Sequence, residues 1–269
     1  MATQGKGITR MAVRGAAVLA LALAGSAIAQ TQEAPAPTPA TDPRVAALAD
    51  AGRHLLAYRT KEARGALVAV QDEASGDAAI AVALGRVLEQ EKKYAEASTQ
   101  LQKATALAPD DPAPHLYLGE TLLRQKKATE ASAAFTRAAD AAAKAVAADP
   151  ANASALYHLG VAQQRLRQYD QAVATLAKAR ELEPGNVLAT FQIGVTRAFQ
   201  QRWADAVVEL TRAVEADSGI AYAYYFRGLA QDKLGKKDQL VLDMQRFLAL
   251  AAAAPEAEQA AAILKAAKR

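Results

Sequence analysis

The chain has 269 residues, of which 52% are apolar and only 5% aromatic, and it contains no cysteine. Its apolar half is dominated by alanine, the best helix former and a close packer, so the composition points to an all-helical protein with thin layers. The lack of cysteine excludes disulfides, thiolate metal sites, a cysteine nucleophile and a lipidated N-terminal cysteine. The net charge of +4 is not gathered into a Lys/Arg stripe that could track a phosphate backbone, so nucleic acid is not an expected partner.

The basic excess sits at the start of the chain. Lys6, Arg10 and Arg14 lie in the first fourteen residues, which hold no acid, and the remainder carries 29 bases against 28 acids. Residues 15–29 read GAAVLALALAGSAIA, with Ala27-Ile28-Ala29 before Gln30. A basic start, a short apolar run and small residues at the cut predict a secretory signal peptide over 1–29, cleaved after Ala29. The alternative is a retained anchor, but an uncut span needs roughly 20 apolar residues. The expectation is therefore an exported chain, periplasmic or secreted, with no membrane span after cleavage. The alanine-rich style resembles that of GC-rich bacterial genomes and suggests a bacterial origin. Residues 30–43, QTQEAPAPTPATDP, are too proline-rich for a helix and predict an extended linker.

Beyond Asp42 the chain repeats itself. Glycines inside helical stretches fall at Gly85, Gly119, Gly160, Gly194 and Gly228, spaced 34, 41, 34 and 34. A second series, Ala63, Ala97, Ala131, Ala172 and Ala206, is spaced 34, 34, 41 and 34. Four residues after each stands a large apolar side chain: Leu67, Leu101, Phe135, Leu176 and Leu210. Prolines recur at the ends, as Pro109, Pro150 and Pro184.

Each slot has a physical reading. A glycine inside a helix costs about 1 kcal/mol relative to alanine, so five at one phase need a packing reason: the missing side chain lets a partner helix approach. The alanine series supplies the opposing surface, the large residue fills the remaining gap, and proline stops the second helix. Such a helix–turn–helix unit cannot bury its face alone and must stack on its neighbours.

The pattern resembles the tetratricopeptide repeat. The unit 153–186 carries Leu156, Leu159-Gly160, Tyr169, Ala172, Leu176, Ala179 and Pro184 without a gap. Units 78–111 and 187–220 match nearly as well, with Tyr94 and Trp203 as the aromatics at the turn. The resemblance implies an all-α, right-handed superhelical solenoid of antiparallel helix pairs. Its units are 44–77, 78–111, 112–152, 153–186, 187–220 and 221–254, with 255–269 as a C-terminal capping helix.

Three departures stand out. The unit 44–77 has Asp50-Ala51 where an apolar residue and glycine belong. The unit 221–254 has Arg227 before Gly228 and Leu240 in the alanine slot, so both terminal units are degenerate. The 41-residue unit 112–152 carries seven extra residues in the run AADAAAKAVAAD before Pro150. Seven residues are nearly two helical turns, so its second helix should lengthen by about 10 Å and keep its buried face.

Chemistry is sparse. His54, His115 and His158 have no metal-ligand neighbour at helical spacing, and no phosphate loop, calcium loop or Gly-x-Ser-x-Gly elbow occurs. The sequence therefore predicts no catalytic, cofactor-binding or metal-binding residue. Asp110-Asp111 reads as a helix start.

The resemblance implies a groove lined by the first helices, at places six and three residues before each glycine and one, four and five after it. These places hold Arg86, Glu89 and Gln90, then Leu116, Glu120, Leu123 and Arg124, then Tyr157, Val161, Gln164 and Arg165. The later units add Leu188, Phe191, Val195, Phe199, Tyr222, Tyr225, Leu229, Asp232 and Lys233. The groove thus reads as charged at its N-terminal end and aromatic toward its C-terminal end. Arg124, Tyr157, Arg165, Phe191, Phe199, Tyr222 and Tyr225 form the candidate partner-binding set, the arginines suited to an acidic residue or a chain terminus. Val82 and Arg86 replace the Lys and Asn of the clamp that some family members use for chaperone C-termini, so that ligand is not expected. The function expected is a non-enzymatic adaptor of the cell envelope that binds an extended segment or helix of another protein. The alternative is a structural subunit of an envelope assembly, or a homo-oligomer, using its outer faces.

Overall fold

The computed structural model describes residues 42–56, 59–70 and 76–267. The expected signal peptide and nearly all of the linker lie outside the described residues. All regular structure among the described residues is helical, in thirteen α-helices. The first helices of successive pairs are α1 (Pro43–Leu56), α3 (Ala78–Gln90), α5 (Pro112–Arg124), α7 (Ala153–Arg165), α9 (Val187–Phe199) and α11 (Ala221–Lys233). Their partners are α2 (Thr60–Val68), α4 (Tyr94–Leu107), α6 (Ala128–Ala148), α8 (Tyr169–Leu182), α10 (Trp203–Ala216) and α12 (Lys237–Leu250), and α13 (Ala257–Ala267) ends the array.

The helix starts and turns repeat with the period of the sequence. Asp77, Asp111, Asn152 and Asn186 each accept a backbone N–H of the first turn, so α3, α5, α7 and α9 begin on capped ends. Pro112 fits at the first position of α5 because its missing N–H has no helical partner there. Seven residues after each helical glycine the chain turns through the left-handed region, at Lys92, Lys126, Arg167, Gln201 and Gly235, with φ of 61°, 63°, 63°, 60° and 75°. Behind each turn residue the next N–H reaches back five residues, as in Lys93 N to Leu88 O at 2.9 Å and Gln168 N to Gln163 O at 2.9 Å. These bonds satisfy carbonyls left open at the end of the first helix.

The glycine series does what its spacing requires. A β-carbon on Gly85 would lie 2.7 Å from Leu101 Cγ, one on Gly160 2.5 Å from Leu176 Cγ, and one on Gly194 2.7 Å from Leu210 Cγ. At Gly119 the ring of Phe135 fills the same space. The Ala63, Ala97, Ala131, Ala172 and Ala206 series is fully buried, as is the second alanine of the partner helix at Ala104, Ala138, Ala179 and Ala213.

The chain divides after Pro109 into two compact units. In the first, α1–α3 enclose Leu48, Leu55, Leu67, Ile80, Leu84 and Val87. Ala51 takes the glycine slot and is fully buried in the same cluster as Leu67. Polar ties reinforce this unit: Gln90 Nε2 donates to Leu55 O at 2.8 Å, and Arg64 meets Glu91 through two bonds of 2.8 and 2.6 Å.

In the second unit α6 runs for 21 residues, whereas α4, α8, α10 and α12 have 14 each. The extra seven continue the helix; Ala141 and Ala142 remain buried, and Val146 packs beside Leu156, Ala179 and Ala189. The last pair is built differently. Arg227 occupies the apolar slot and meets Asp243 at 2.9 and 2.7 Å, with the two side chains only 16% and 6% exposed. Leu240 and Phe247 fill two alanine slots, and Met244 takes the large one opposite Gly228. Helix α13 lies on α12 with Ala260 buried and Ile263 and Leu264 half-buried.

Candidate functional site

Exposure along the first helices divides by position. Three residues before the glycine, Val82, Leu116 and Tyr225 are buried; one residue after it, Val161 and Val195 are buried as well. Five after it, Arg124, Phe199 and Lys233 are exposed. Early positions meet the neighbouring pair, so their side chains become interface, whereas the fifth position lies at the end of the helix beside the turn. Gln164 is a clear case. Expected in the groove, it is 2% exposed, and its Nε2 donates to Thr196 Oγ1 at 2.7 Å and Gln192 O at 3.2 Å, tying α7 to α9.

Tyr225 also departs from expectation. It is 5% exposed, with its ring 5.0 Å from that of Phe247 and 5.5 Å from that of Phe226. The reason is the last pair's unusual core: a phenylalanine stands where the four pairs before it have alanine, and Tyr225 packs onto it. Burial, and secondarily the Glu256 charge, push its phenol above the usual tyrosine range. Tyr225 is therefore core and not a contact surface.

The other aromatics form a connected string. Tyr169 stacks on Phe199 at 6.0 Å, Phe199 meets Phe226 edge-on at 6.2 Å, Phe226 lies 6.3 Å from Phe191, and Tyr222 stands 6.5 Å from Phe226. Within this string Phe199 is 41% exposed, while Tyr169, Phe191 and Tyr222 are half-buried. Tyr157 is separate from it, half-buried against Leu156 and Ala189 with its ring edge-on to His158. Phe226 lay outside the set taken from the sequence. Its position two before the glycine holds alanine, tyrosine, histidine or glutamine in the other glycine-bearing pairs, so periodicity gave no signal for it.

Both candidate arginines have acidic partners within the chain. Arg165 Nε donates to Glu120 Oε1, linking α7 back to α5. Arg124 Nη2 donates to Glu256 Oε1 at 3.0 Å, and the hydroxyl of Tyr222 donates to the other oxygen of that carboxylate. Glu256 belongs to the turn before α13, a segment outside the repeat, so no spacing rule pointed to it. Among the described residues no three His, Cys, Asp or Glu side chains gather as a metal site, and no helix is long and apolar enough to cross a membrane.

Known proteins carry the same repeat. Residues 85–126 match the TPR repeat pattern, and residues 134–187 and 162–219 match the tetratricopeptide repeat. Over residues 85–126 and 134–219 the chain is built of tetratricopeptide repeats. Among solved structures, TTC0263, a thermophilic TPR protein of Thermus thermophilus, is 20% identical with a TM-score of 0.55 over 70% of this chain and 97% of that one. The human IFIT1 dimer with m7Gppp-AAAA is 15% identical with a TM-score of 0.59, over 78% and 51%. YrrB, a TPR protein with an unusual peptide-binding site, is 21% identical with a TM-score of 0.40, over 74% and 97%. At these identities the likeness is one of fold. No curated protein matches the sequence significantly. Tetratricopeptide-repeat proteins generally mediate protein–protein interactions and are typically non-catalytic scaffolds.

Proposed function

We propose that this tetratricopeptide-repeat chain is a non-catalytic adaptor, exported into a bacterial cell envelope, that binds a segment of another protein along the face of its first helices. The observation that carries the binding reading is the string Tyr169–Phe199–Phe226–Phe191, in which the Phe199 ring is exposed. Exposed aromatic side chains on a rigid helical face supply large contact area at little entropic cost and are typical anchors of protein interfaces. The export reading rests on the basic start, apolar run and Ala27-Ile28-Ala29 of the N-terminal sequence.

The test is cross-linking of the chain in its native envelope, with captured proteins identified by mass spectrometry, beside a Phe191→Ala/Phe199→Ala variant verified as helical. A partner that disappears in the variant supports the reading. Partners retained in full by the variant overturn the assignment of the binding face, and a chain found only in the cytoplasm overturns the assignment of compartment.

A further inference from the structure

The placement of Glu256 points to a ligand class. Its carboxylate is held by two groups far apart in the chain, the Arg124 guanidinium on α5 and the Tyr222 hydroxyl on α11. The residues lie 132 and 34 positions away in sequence, and they come from the third and sixth helix pairs. Both donors stand at places on the first helices where the repeat pattern puts ligand contacts. The carboxylate is delivered by Ala254-Pro255-Glu256-Ala257, a turn in which Ala254 is buried and the flanking side chains are small. Glu256 is thus a peptide acid seated on the face from within the same chain.

The strength of the contact suits exchange. The side chains of Arg124 and Glu256 are 40% and 20% exposed, a partly solvated pair. Exposed ion pairs of this kind contribute a factor of about five or less to an equilibrium, while a hydrogen bond to a charged group contributes more. Besides the packing of Ala254 and Ala260, the segment's hold on the face is that one carboxylate, which can yield to a competitor that brings the same chemistry. The short connection to α12 keeps it close when it leaves, at an effective concentration of order millimolar.

We propose that residues 254–257 are a built-in occupant of the binding face, latched by Glu256, and that the partner which replaces them is an acidic peptide segment with small apolar neighbours. The partner places an internal Glu or Asp carboxylate on Arg124 and Tyr222, and its adjoining residues run toward the aromatic string. This inference rests on the adaptor reading above and specifies what the face recognises.

The probe is a fluorescent peptide of sequence AAAAPEAEQA, blocked at both ends, titrated into the full chain and followed by anisotropy. Changing Glu256→Gln in the protein removes the latch and leaves the helices intact; the peptide should then bind about tenfold more tightly than to the unaltered chain. A peptide in which the Glu matching Glu256 is replaced by Gln should show no such gain, and adding Arg124→Gln to the protein should abolish the gain. Equal affinity for the two proteins, an equal gain for the Gln peptide, or no binding to the Glu256→Gln chain at millimolar peptide would each overturn the proposal. A second measurement needs no variant: hydrogen exchange across residues 256–264 of the unaltered chain should quicken at saturating peptide, and unchanged or slower exchange there would also overturn it. If the Phe191/Phe199 variant loses its cross-linked partner while Glu256→Gln leaves peptide binding unchanged, the latch fails and the adaptor reading survives.

Discussion

Gly160 and Leu176 occupy one packing volume: the leucine Cγ stands 2.5 Å from where a β-carbon on the glycine would be, and the Ala172 carbonyl oxygen closes the other side at 3.3 Å. The leucine is fully buried, so it has no direction in which to retreat. Gly160→Ala should therefore destabilise the second unit by about 1–3 kcal/mol, the usual cost of overpacking, despite alanine's better helix propensity. Gly65 in α2 has nothing within 4 Å of the same position, so Gly65→Ala should stabilise by about 0.5–1 kcal/mol. At Gly228 the nearest atoms are the terminal methyl of Met244, the far end of a flexible side chain, at 2.9 Å and Asp243 Cβ at 3.1 Å, so the loss there should be smaller than at Gly160. Urea unfolding of the three single variants checks the order, and a destabilised Gly65→Ala chain would contradict the packing account.

Four of the five left-handed turns carry long side chains, at Lys92, Lys126, Arg167 and Gln201. A non-glycine residue at such φ costs about 1 kcal/mol that glycine avoids. Replacing any one of the four by glycine should raise stability by a few tenths to about 1 kcal/mol after the entropy of the unfolded chain is subtracted. Gly235→Ala should lower it. Thermal melts of the five variants suffice, and a uniform loss across the four would refute the argument.

The Arg227–Asp243 pair holds α11 to α12 through two bonds in a nearly dry setting. Asp243→Ala should cost about 3–5 kcal/mol because it leaves the guanidinium buried without its carboxylate. Arg227→Leu restores the apolar slot found in the other glycine-bearing pairs but strands Asp243, so it too should destabilise. The double variant Arg227→Leu/Asp243→Leu should recover most of the loss, and the double-mutant cycle measures the coupling. Additive single effects would mean that the two charges act independently.

His158 is buried in α7 with Nδ1 donating to Ser154 O at 2.8 Å. Burial pushes its imidazole below the ordinary 6.5, against the opposing influences of the Asp111 charge and the Ser154 carbonyl. With the folded value below the unfolded one, the unfolded chain binds the proton more readily. The stability held by the neutral ring is fully present above about pH 6.5 and is lost progressively as pH falls below it toward the folded value. Unfolding midpoints measured from about pH 7.5 to 5 should fall less steeply for His158→Gln than for the unaltered chain. Identical slopes would show that other groups govern the acid limb.

The pairing of helices was legible because its main signal is the loss of a side chain at a fixed period. Gly160 and Leu176 announce each other sixteen residues apart, whatever surrounds them. The seven-residue lengthening of α6 was legible for a similar reason, since alanines continue the helix without a break. The turns at Lys92 and Arg167 were not, because lysine and arginine have no preference for left-handed backbone. The binding face was only half legible. Gln164 and Tyr225 occupy places that the repeat assigns to the groove, yet Thr196 captures the first and Phe247 buries the second. Those outcomes depend on which side chain a neighbouring helix presents, and a position-by-position pattern does not carry it. Glu256 reaches the face from a segment that repeats nothing.

The two added turns of α6 set a rule for how this chain can grow. Each residue added to a helix rotates all that follows by about 100°, so one extra residue would aim the next cap, Asn152, away from the array. Seven residues return the direction to within about 20° while moving the exit along the axis. Changes in length at such a helix are therefore quantised. Steps of seven, less closely of four or three, keep the following pairs in phase, and every other step would have to be absorbed by an altered turn. The α6 insertion is an enlargement of the scaffold that the neighbouring pairs do not need to answer with changes of their own.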